Sequence, residues 1–368
     1  MRIIRNYLLK EFIGPFLLSL LVSTMILAAG HIIQVADLIV NKGVSVIYVT
    51  HLFFLLMPWL LTFTIPISVL SATLLAFGRL AGDNEIIALK ASGVSLYRIS
   101  APILIVGLII SLFSIPLNDK LLPKSGYEAR KLMKEIGIRN PLALLEPGVF
   151  IKGFEDYVIF VYSINQNKLK NIRIYQPQEG KPTRTIVAEE GEVITIPEQD
   201  IVKLKLTKGS ADESLPQDPE HFYKLVFDTY YMTLNLKDAM EFEKIEKKPR
   251  EMSIAEIRRE IENLKKKKIS TIPLYIELHN KLALAFSNVI FALIAIPIAI
   301  KTHRREKSIN FGFTMVLFLA YWGIMLGGVA CAIRKLVPPW TGIWMANFVL
   351  FVVGLFLFFK LARKYWLF

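Results

Sequence analysis

The chain alternates between long apolar segments and polar stretches, and the apolar segments fall into two groups of three. They lie at about residues 12–40, 52–77 and 99–115, and again at about 282–300, 311–333 and 340–361. A run of about 20 apolar residues is long enough to cross a membrane as a helix. We therefore predict six transmembrane helices.

The region between the two groups has a different pattern. Short alternating segments are separated by turn signals such as Gln-Asn, Glu-Gly and Pro-Glu-Gln-Asp, and predict strands at 157–162, 169–175, 183–188, 192–196, 201–206 and 223–236. Repeated short strands at this spacing are typical of an antiparallel sandwich or jelly roll. A helix over residues 116–138 is expected before the strands. After them, Ser253-Ile-Ala-Glu256 is a capping box that predicts a helix to about Lys268.

The predicted fold is an α-helical integral membrane protein with six transmembrane helices and an extracytoplasmic all-β, jelly-roll-like domain. The domain is inserted between helices 3 and 4. We divide the chain into residues 1–115 with the first three helices, residues 116–272 with the β domain and its flanking helices, and residues 273–368 with the last three helices.

One polar stretch inside the first group predicts a short amphipathic helix at about residues 82–93. Asp83 is suited to cap its first N–H groups, and Gly93 to end it in a left-handed conformation. Glu85 and Lys90 are polar, while the residues between them are mostly apolar. A short helix held between two membrane spans is a shape suited to docking a soluble partner.

Glu85 itself has two interpretations that the sequence leaves open. An acidic side chain in the first turn stabilises any helix through the helix dipole. An exposed carboxylate on a docking helix is equally a good partner for an arginine of another subunit.

Composition excludes an ordinary soluble protein. The 368 residues are 54% hydrophobic with a net charge of +13, and their mean hydropathy is +0.46. Residues 118–272 carry 27 Lys or Arg and 25 Asp or Glu, so almost all of the positive excess flanks the apolar segments. This placement suits anionic lipid head groups and argues against a nucleic-acid partner, which would favour one basic soluble face.

The basic residues of the short loops predict the orientation. The side of the termini carries thirteen, including Arg79, Lys90, Arg304 and Arg305, whereas the opposite short loops offer mainly Lys42, Arg334 and Lys335. Basic loops stay in the cytoplasm. We therefore expect cytoplasmic termini and a β domain on the other side of the membrane.

Motifs for catalysis are absent from the sequence. Neither the phosphate loop G-x-x-x-x-G-K-S/T nor H-E-x-x-H nor G-x-S-x-G occurs, and the five histidines show no ligand spacing. The single cysteine, Cys331, excludes an intramolecular disulfide. We expect no catalytic residue, metal site or cofactor in this chain.

One lysine and one run of lysines near the membrane boundaries each have a structural and a functional interpretation. Lys281 lies against the fourth apolar run, where a lysine either reaches outward to the interface or faces the helix bundle. The run Lys265–Lys268 is either a solvated helix end or a contact with anionic head groups or substrate phosphates, and the first is favoured.

The architecture and three motifs resemble the LptF/LptG permeases of the lipopolysaccharide exporter across essentially the whole chain. The motifs are Gly78-Arg-Leu…Glu85-Ile…Ala91-Ser-Gly93-Val-Ser95, Tyr275-Ile-Glu-Leu-His-Asn-Lys-Leu-Ala283 leading to Pro297, and Pro338-Pro339-Trp…Trp344-Met-Ala-Asn347. The Glu277-Leu-His279 part is slightly more similar to LptF than to LptG.

The resemblance implies a noncatalytic subunit of an ATP-driven exporter. An LptF-like and an LptG-like chain would enclose a cavity, and an LptB-like ATPase dimer, which binds the ATP and magnesium, would grip the coupling helices. Lipopolysaccharide would leave the outer leaflet of the inner membrane for the β domains and an LptC-like periplasmic protein. Glu85 matches the family's coupling-helix acid, with Asp83, Arg79 and Lys90 beside it in sequence.

The family's basic residues at the outer end of the first span are mostly missing. Lys42 is the only base there and Gln34 is uncharged, so Lys42 is the best candidate for a lipid A phosphate. Gln34, Lys281, Arg334 and Lys335 complete the candidate substrate-binding set. Two alternatives stay open: an envelope scaffold that transports nothing, or an exporter of a different amphiphilic lipid. The spans contain too few polar residues to support an intramembrane enzyme.

Overall fold

We analysed a computed structural model of the chain. The structure describes residues 2–40, 42–139, 147–154, 157–165, 168–178, 181–196, 201–215, 218–235, 247–302 and 307–366. Arg304 and Arg305, which were counted in predicting the orientation, lie outside these residues, as does the end of the strand predicted at 223–236.

The helices lie on either side of the strands in the chain. They are α1 (Arg2–Val40), α2 (Val46–Gly82), α3 (Glu85–Ala91), α4 (Leu96–Pro116), α5 (Leu122–Arg139), α6 (Ile254–Lys266), α7 (Ile272–Thr302), α8 (Lys307–Ile333) and α9 (Pro339–Trp366). A π turn over Leu117–Leu121 joins α4 to α5, and a 3-10 turn over Pro249–Glu251 precedes α6.

Six of these helical segments are long and apolar enough to cross a membrane, which confirms the six predicted spans. They contain α1, α2, α4 continued through most of α5, α7, α8 and α9. In the most apolar window of α7, 83% of the residues are buried, against 6% in that of α1. The central helix of the bundle is therefore α7, and α1 packs least against its own chain.

The helix that was predicted to leave the membrane is continuous with the third span. The π turn at Leu117–Leu121 carries the chain from α4 into α5 without a break. A π turn leaves local backbone groups without their usual partners, and such turns often occur at functional sites. Here the carboxylate of Asp119, which lies in the π turn, accepts a hydrogen bond from the N–H of Ile254 at 2.6 Å, where α6 begins.

The start of α6 has the capping geometry that the sequence predicts. Ser253 Oγ accepts the N–H of Glu256, and the Glu256 carboxylate accepts the N–H of Ser253, so the capping box is confirmed. Hydrogen bonds from Lys247 and from the backbone of Ser253 lower the pKa of Glu256. The carboxylate is thus held in the charged form that a helix N-terminus favours.

The inserted domain is a single antiparallel sheet, so the predicted antiparallel all-β domain is confirmed. Its strands are β1 (Phe150–Phe154), β2 (Tyr157–Asn165), β3 (Lys168–Gln178), β4 (Lys181–Ile196), β5 (Ile201–Leu215) and β6 (Asp218–Asn235). They are hydrogen-bonded in chain order, which is the order of a meander. β1 was not predicted, and one predicted turn is wrong.

That turn, at Glu190-Gly191, lies inside the 16-residue strand β4. The pairing of β4 with β3 and β5 has the same register on both sides of Glu189. Asn171 and Lys208, its neighbours across the sheet, have left-handed φ values of 51° and 52°. The buried residues of β4 therefore change from even to odd positions at this point, which in the sequence looks like the end of one strand and the start of another.

The chain divides into two compact units. The first comprises Met1–Gly30, Leu56–Tyr127 and Lys247–Phe368, and the second comprises His31–Leu55 and Glu128–Glu246. The first contains a core of helix residues such as Leu80, Phe291 and Ala346. The second contains the core of the sheet, with Val161, Ile172 and Leu206 fully buried.

Candidate functional site

The predicted coupling helix exists as α3, but it begins differently from the prediction. It spans Glu85–Ala91, and its N-cap is Asn84 in a left-handed conformation with no hydrogen bond from its side chain to the helix. Asp83 is therefore not the cap, and that prediction is wrong. The reason is that α2 continues to Gly82, one turn of helix beyond Arg79, and places Asp83 next to the Arg79 guanidinium instead.

The end of α3 is as predicted. Gly93 has a φ of 78°, the left-handed conformation that glycine adopts without strain. The N–H of Gly93 donates to the carbonyl of Lys90 at 2.8 Å, and that of Val94 donates to the carbonyl of Leu89 at 3.0 Å. These two bonds form a Schellman motif, which gives the short helix a fixed end.

The helix has a buried and an exposed face. Ile86 is 1% exposed and packs in the helical core, and Leu89 packs partly against the same core. Ile87 is 48% exposed, and Ala88 and Ala91 are exposed as well. Since an exposed isoleucine beside two small residues offers a shallow apolar surface, α3 combines firm attachment on one side with an open face on the other.

An arginine with three carboxylates lies at the start of α3. Arg79 Nη1 is 2.7 Å from Glu11 Oε2, its Nε is 3.7 Å from Asp83 Oδ2, and its Nη2 is 3.6 Å from Glu85 Oε1. Tyr7 completes the group, because its hydroxyl accepts from Arg79 Nη2 at 2.9 Å and donates to Glu85 Oε2 at 2.7 Å. We call these five residues the Arg79 cluster.

The Arg79 cluster changes the interpretation of Glu85. Its carboxylate is part of a network within the chain, so it is more than a first-turn acid on an isolated helix. Three carboxylates and one guanidinium leave a local excess of negative charge, which a cation of another molecule would reduce. Of the four predicted coupling residues, the structure brings Arg79, Asp83 and Glu85 together, while Lys90 is half-buried in the last turn of α3.

Lys281 is buried in a polar junction between the π turn and α7. It is 2% exposed, and its Nζ donates to the main-chain carbonyl of Asn118 at 3.0 Å. The Asn118 amide returns a hydrogen bond to the carbonyl of Lys281 at 3.1 Å, and accepts one from Thr62 at 3.1 Å. The ammonium group thus satisfies a carbonyl at the helix irregularity, which favours a structural role.

Gln34 and Lys42 belong to the second unit. Gln34 is exposed on α1. The Lys42 side chain is 12% exposed, and its Nζ lies 3.7 Å from Asp37 Oδ2. A charge that already has a carboxylate beside it is less available to a phosphate, so Lys42 would have to exchange one partner for another.

Arg334 and Lys335 lie in the turn between α8 and α9, in the first unit, and both are exposed. Lys335 ends α8 in a left-handed conformation with a φ of 60°. The N–H of Leu336 donates to the carbonyl of Cys331 at 2.9 Å, which fixes the turn. The run Lys265–Lys268, at the end of α6, is exposed throughout, as expected for a solvated helix end.

Four residues of these networks were not identified from the sequence. Tyr7 and Glu11 precede Arg79 by about 70 residues, and Thr62 and Asn118 lie far from Lys281 in the chain. Their only signal is a polar side chain next to an apolar run, which many interfacial residues share. Helix packing, and not a motif, brings them to their partners.

Comparison with known proteins gives two similarities. Residues 6–360 match the model of a family described as lipopolysaccharide export system permease LptF/LptG. An uncharacterised protein of Rickettsia prowazekii (strain Madrid E) is 24% identical over 192 residues, which are 52% of this chain and 53% of the relative. The chain thus spans about half the length of this curated relative.

Proposed function

Because the chain belongs to the LptF/LptG family, we propose that it is a permease subunit of an ATP-driven exporter. Its cargo is lipopolysaccharide, which it extracts from the outer leaflet of the inner membrane and passes to a periplasmic bridge of β domains. The observation that carries the proposal is the family match over residues 6–360, which includes all six spans, α3 and the sheet.

In this proposal α3 is the contact with the ATPase. An LptB-like dimer binds and hydrolyses ATP with magnesium, and this chain contributes no catalytic group. The open face of α3 with Ile87, and the negative excess of the Arg79 cluster, suit a partner surface that offers an apolar pocket and a cation. Lys90 provides a charge of the opposite sign at the end of the helix.

The sheet suits the transfer of cargo between domains. β1 and β6 are the outermost strands of the meander, so each has an edge that no other described strand covers. Unpaired strand edges can add a strand from another chain. We propose that the sheet lies in the periplasm and joins an LptC-like protein through an edge, with a second permease chain beside the spans.

Among the candidate substrate contacts, the exposed cations fit best. Arg334 and Lys335 are open to a phosphate, whereas Lys42 is paired with Asp37 and Lys281 is occupied at Asn118. We therefore propose Arg334 and Lys335 as the first phosphate contacts of this chain. Gln34 and Lys42 come second.

The proposal is tested by native mass spectrometry of the complex purified in mild detergent from its own membrane. We expect an ATPase dimer, a second permease chain and a bound lipopolysaccharide. A bound lipid of another class would be consistent with an exporter but would contradict lipopolysaccharide as its cargo. A chain without an ATPase would favour the scaffold instead.

A charge reversal then tests α3. Glu85→Lys is expected to reduce recovery of the ATPase by about tenfold or more, because it places a second cation next to Arg79. Glu262→Lys is the matched control, since Glu262 is exposed on α6. Equal recovery of the ATPase with both variants would contradict the assignment of α3.

A further inference from the structure

The first turns of α1 are joined to α3 by one tyrosine hydroxyl. Tyr7 donates to Glu85 Oε2 at 2.7 Å and accepts from Arg79 Nη2 at 2.9 Å. A hydroxyl that donates to a carboxylate and accepts from a guanidinium has both of its roles fixed by its neighbours. The carboxylate of Glu85 is therefore oriented by a residue 78 positions earlier in the chain.

The guanidinium extends this connection along α1. Arg79 lies in the last turn of α2, and its Nη1 pairs with Glu11 Oε2 at 2.7 Å, one helical turn after Tyr7. A charged pair at this distance that also takes part in a network is stronger than an isolated surface pair. The beginning of α1, the end of α2 and the beginning of α3 thus meet at one side chain.

Packing beneath the polar groups supports the same connection. Leu8 and Phe12 on α1 and Ile86 on α3 are each 1% exposed, and they belong to one hydrophobic core. Elsewhere α1 is weakly attached, because only 6% of its most apolar window is buried. Its firm attachment to the helical unit therefore includes the turns that contact α3.

We infer that the first turns of α1 and helix α3 form a single mechanical element, with Tyr7 as the positioning residue that connects them. Tyr7 fixes Oε2 of Glu85, and Oε1 lies 3.6 Å from Arg79 Nη2, beyond hydrogen-bonding distance. Oε1 stays in the ion pair with Arg79 but accepts no hydrogen bond from the described residues, so we expect a partner's donor to bind at Oε1. A displacement of α3 moves the start of α1 with it.

The connection itself is a property of this chain and is tested without a partner. Nitroxide labels at Arg2→Cys and Ala91→Cys, both exposed positions, are introduced with Cys331→Ala, which removes the one native cysteine. Double electron–electron resonance measures the distance between the two labels, and we expect one narrow distance distribution. Tyr7→Phe keeps the ring, removes the hydroxyl and is expected to broaden the distribution.

The matched control is Tyr97→Phe. Tyr97 lies on α4 with its ring against Phe358, and its hydroxyl makes no hydrogen bond to any residue that the structure describes. Its distribution should stay narrow. Glu11→Gln is a second variant that weakens the link through Arg79 while keeping Tyr7, and it should also broaden the distribution. An unchanged distribution in both Tyr7→Phe and Glu11→Gln would overturn the inference.

The effect on docking rests on the proposed function and is measured separately. In the complex, Tyr7→Phe is expected to weaken binding of the ATPase by about tenfold, since one charge-assisted hydrogen bond to Glu85 is lost. If Tyr7 acts through Glu85, the double variant with Glu85→Gln should bind no more weakly than Glu85→Gln alone. Additive losses would contradict the positioning role.

The two failures are distinguishable. If Tyr7→Phe broadens the distances while neither it nor Glu85→Gln changes ATPase affinity, the connection stands and the assigned function of α3 is wrong. If the distances are unchanged, the connection is wrong whatever the ATPase does.

Discussion

At the scale of single residues, Lys281 and Asn118 show that buried polar side chains in the spans hydrogen-bond to main-chain groups of neighbouring helical segments. Lys281 and Asn118 exchange two hydrogen bonds at the π turn, so each satisfies a main-chain carbonyl of the other. Buried polar groups are costly unless they are paired in this way. The junction therefore explains why a lysine is compatible with a buried position on α7.

Removal of the Asn118 amide tests this interpretation. Asn118→Ala leaves the carbonyl of Lys281 and the hydroxyl of Thr62 each with one partner fewer. We expect a loss of about 2 kcal/mol in the free energy of unfolding, because each of the two lost buried hydrogen bonds contributes about 1 kcal/mol. The measurement is the unfolding midpoint of the detergent-solubilised protein.

The control for this change is Asn263→Ala, because Asn263 is exposed on α6 and bonds only weakly to Glu260 at 3.4 Å. Its effect should stay within about 0.5 kcal/mol. Two equal midpoints would mean that the junction contributes little to stability.

At the scale of elements, the type of each segment could be predicted from the sequence more reliably than its ends. The six spans follow from the length of their apolar runs, which no local detail reverses. The false break inside β4 and the start of α3 depend instead on residues in left-handed conformations, Lys208 and Asn84, and neither of these residues is a glycine. Alternation that changes phase inside a strand is indistinguishable, in sequence, from a turn.

Two glycines set the distance between α8 and α9. A Cβ added to Gly328 would collide with the carbonyl oxygen of Gly342, whereas one added to Gly327 would meet nothing within 4 Å. Small residues allow membrane helices to approach closely, and a backbone carbonyl cannot move aside as a flexible side chain can. Of the two neighbouring glycines of α8, Gly328 therefore has no room for a side chain and Gly327 does.

We expect Gly328→Ala to separate α8 from α9 and to cost about 1–3 kcal/mol, as overpacking does. Gly327→Ala should be neutral or slightly stabilising, because alanine favours a helix. Thermal unfolding of the two variants in the same detergent measures the difference. A Gly328→Ala protein as stable as Gly327→Ala would contradict the close approach.

At the scale of the whole molecule, the family and the membrane architecture could be recognised from the sequence, and the connections between distant side chains could not. Glu85 belongs to a motif and was found as a candidate. Tyr7 became visible only when packing brought α1 to α3. The distance between two polar residues along the sequence does not predict whether they are in contact in the fold.

The orientation of the molecule remains a prediction, and the exposed face of α3 makes it testable. The basic loops favour a cytoplasmic α3 and a periplasmic sheet. In a Cys331→Ala background, a single cysteine at Lys170, exposed on β3, should react with a membrane-impermeant maleimide in intact spheroplasts. A single cysteine at Ala91 should react only after lysis. Labelling of Ala91→Cys in intact spheroplasts would reverse the orientation and remove α3 from the reach of a cytoplasmic ATPase.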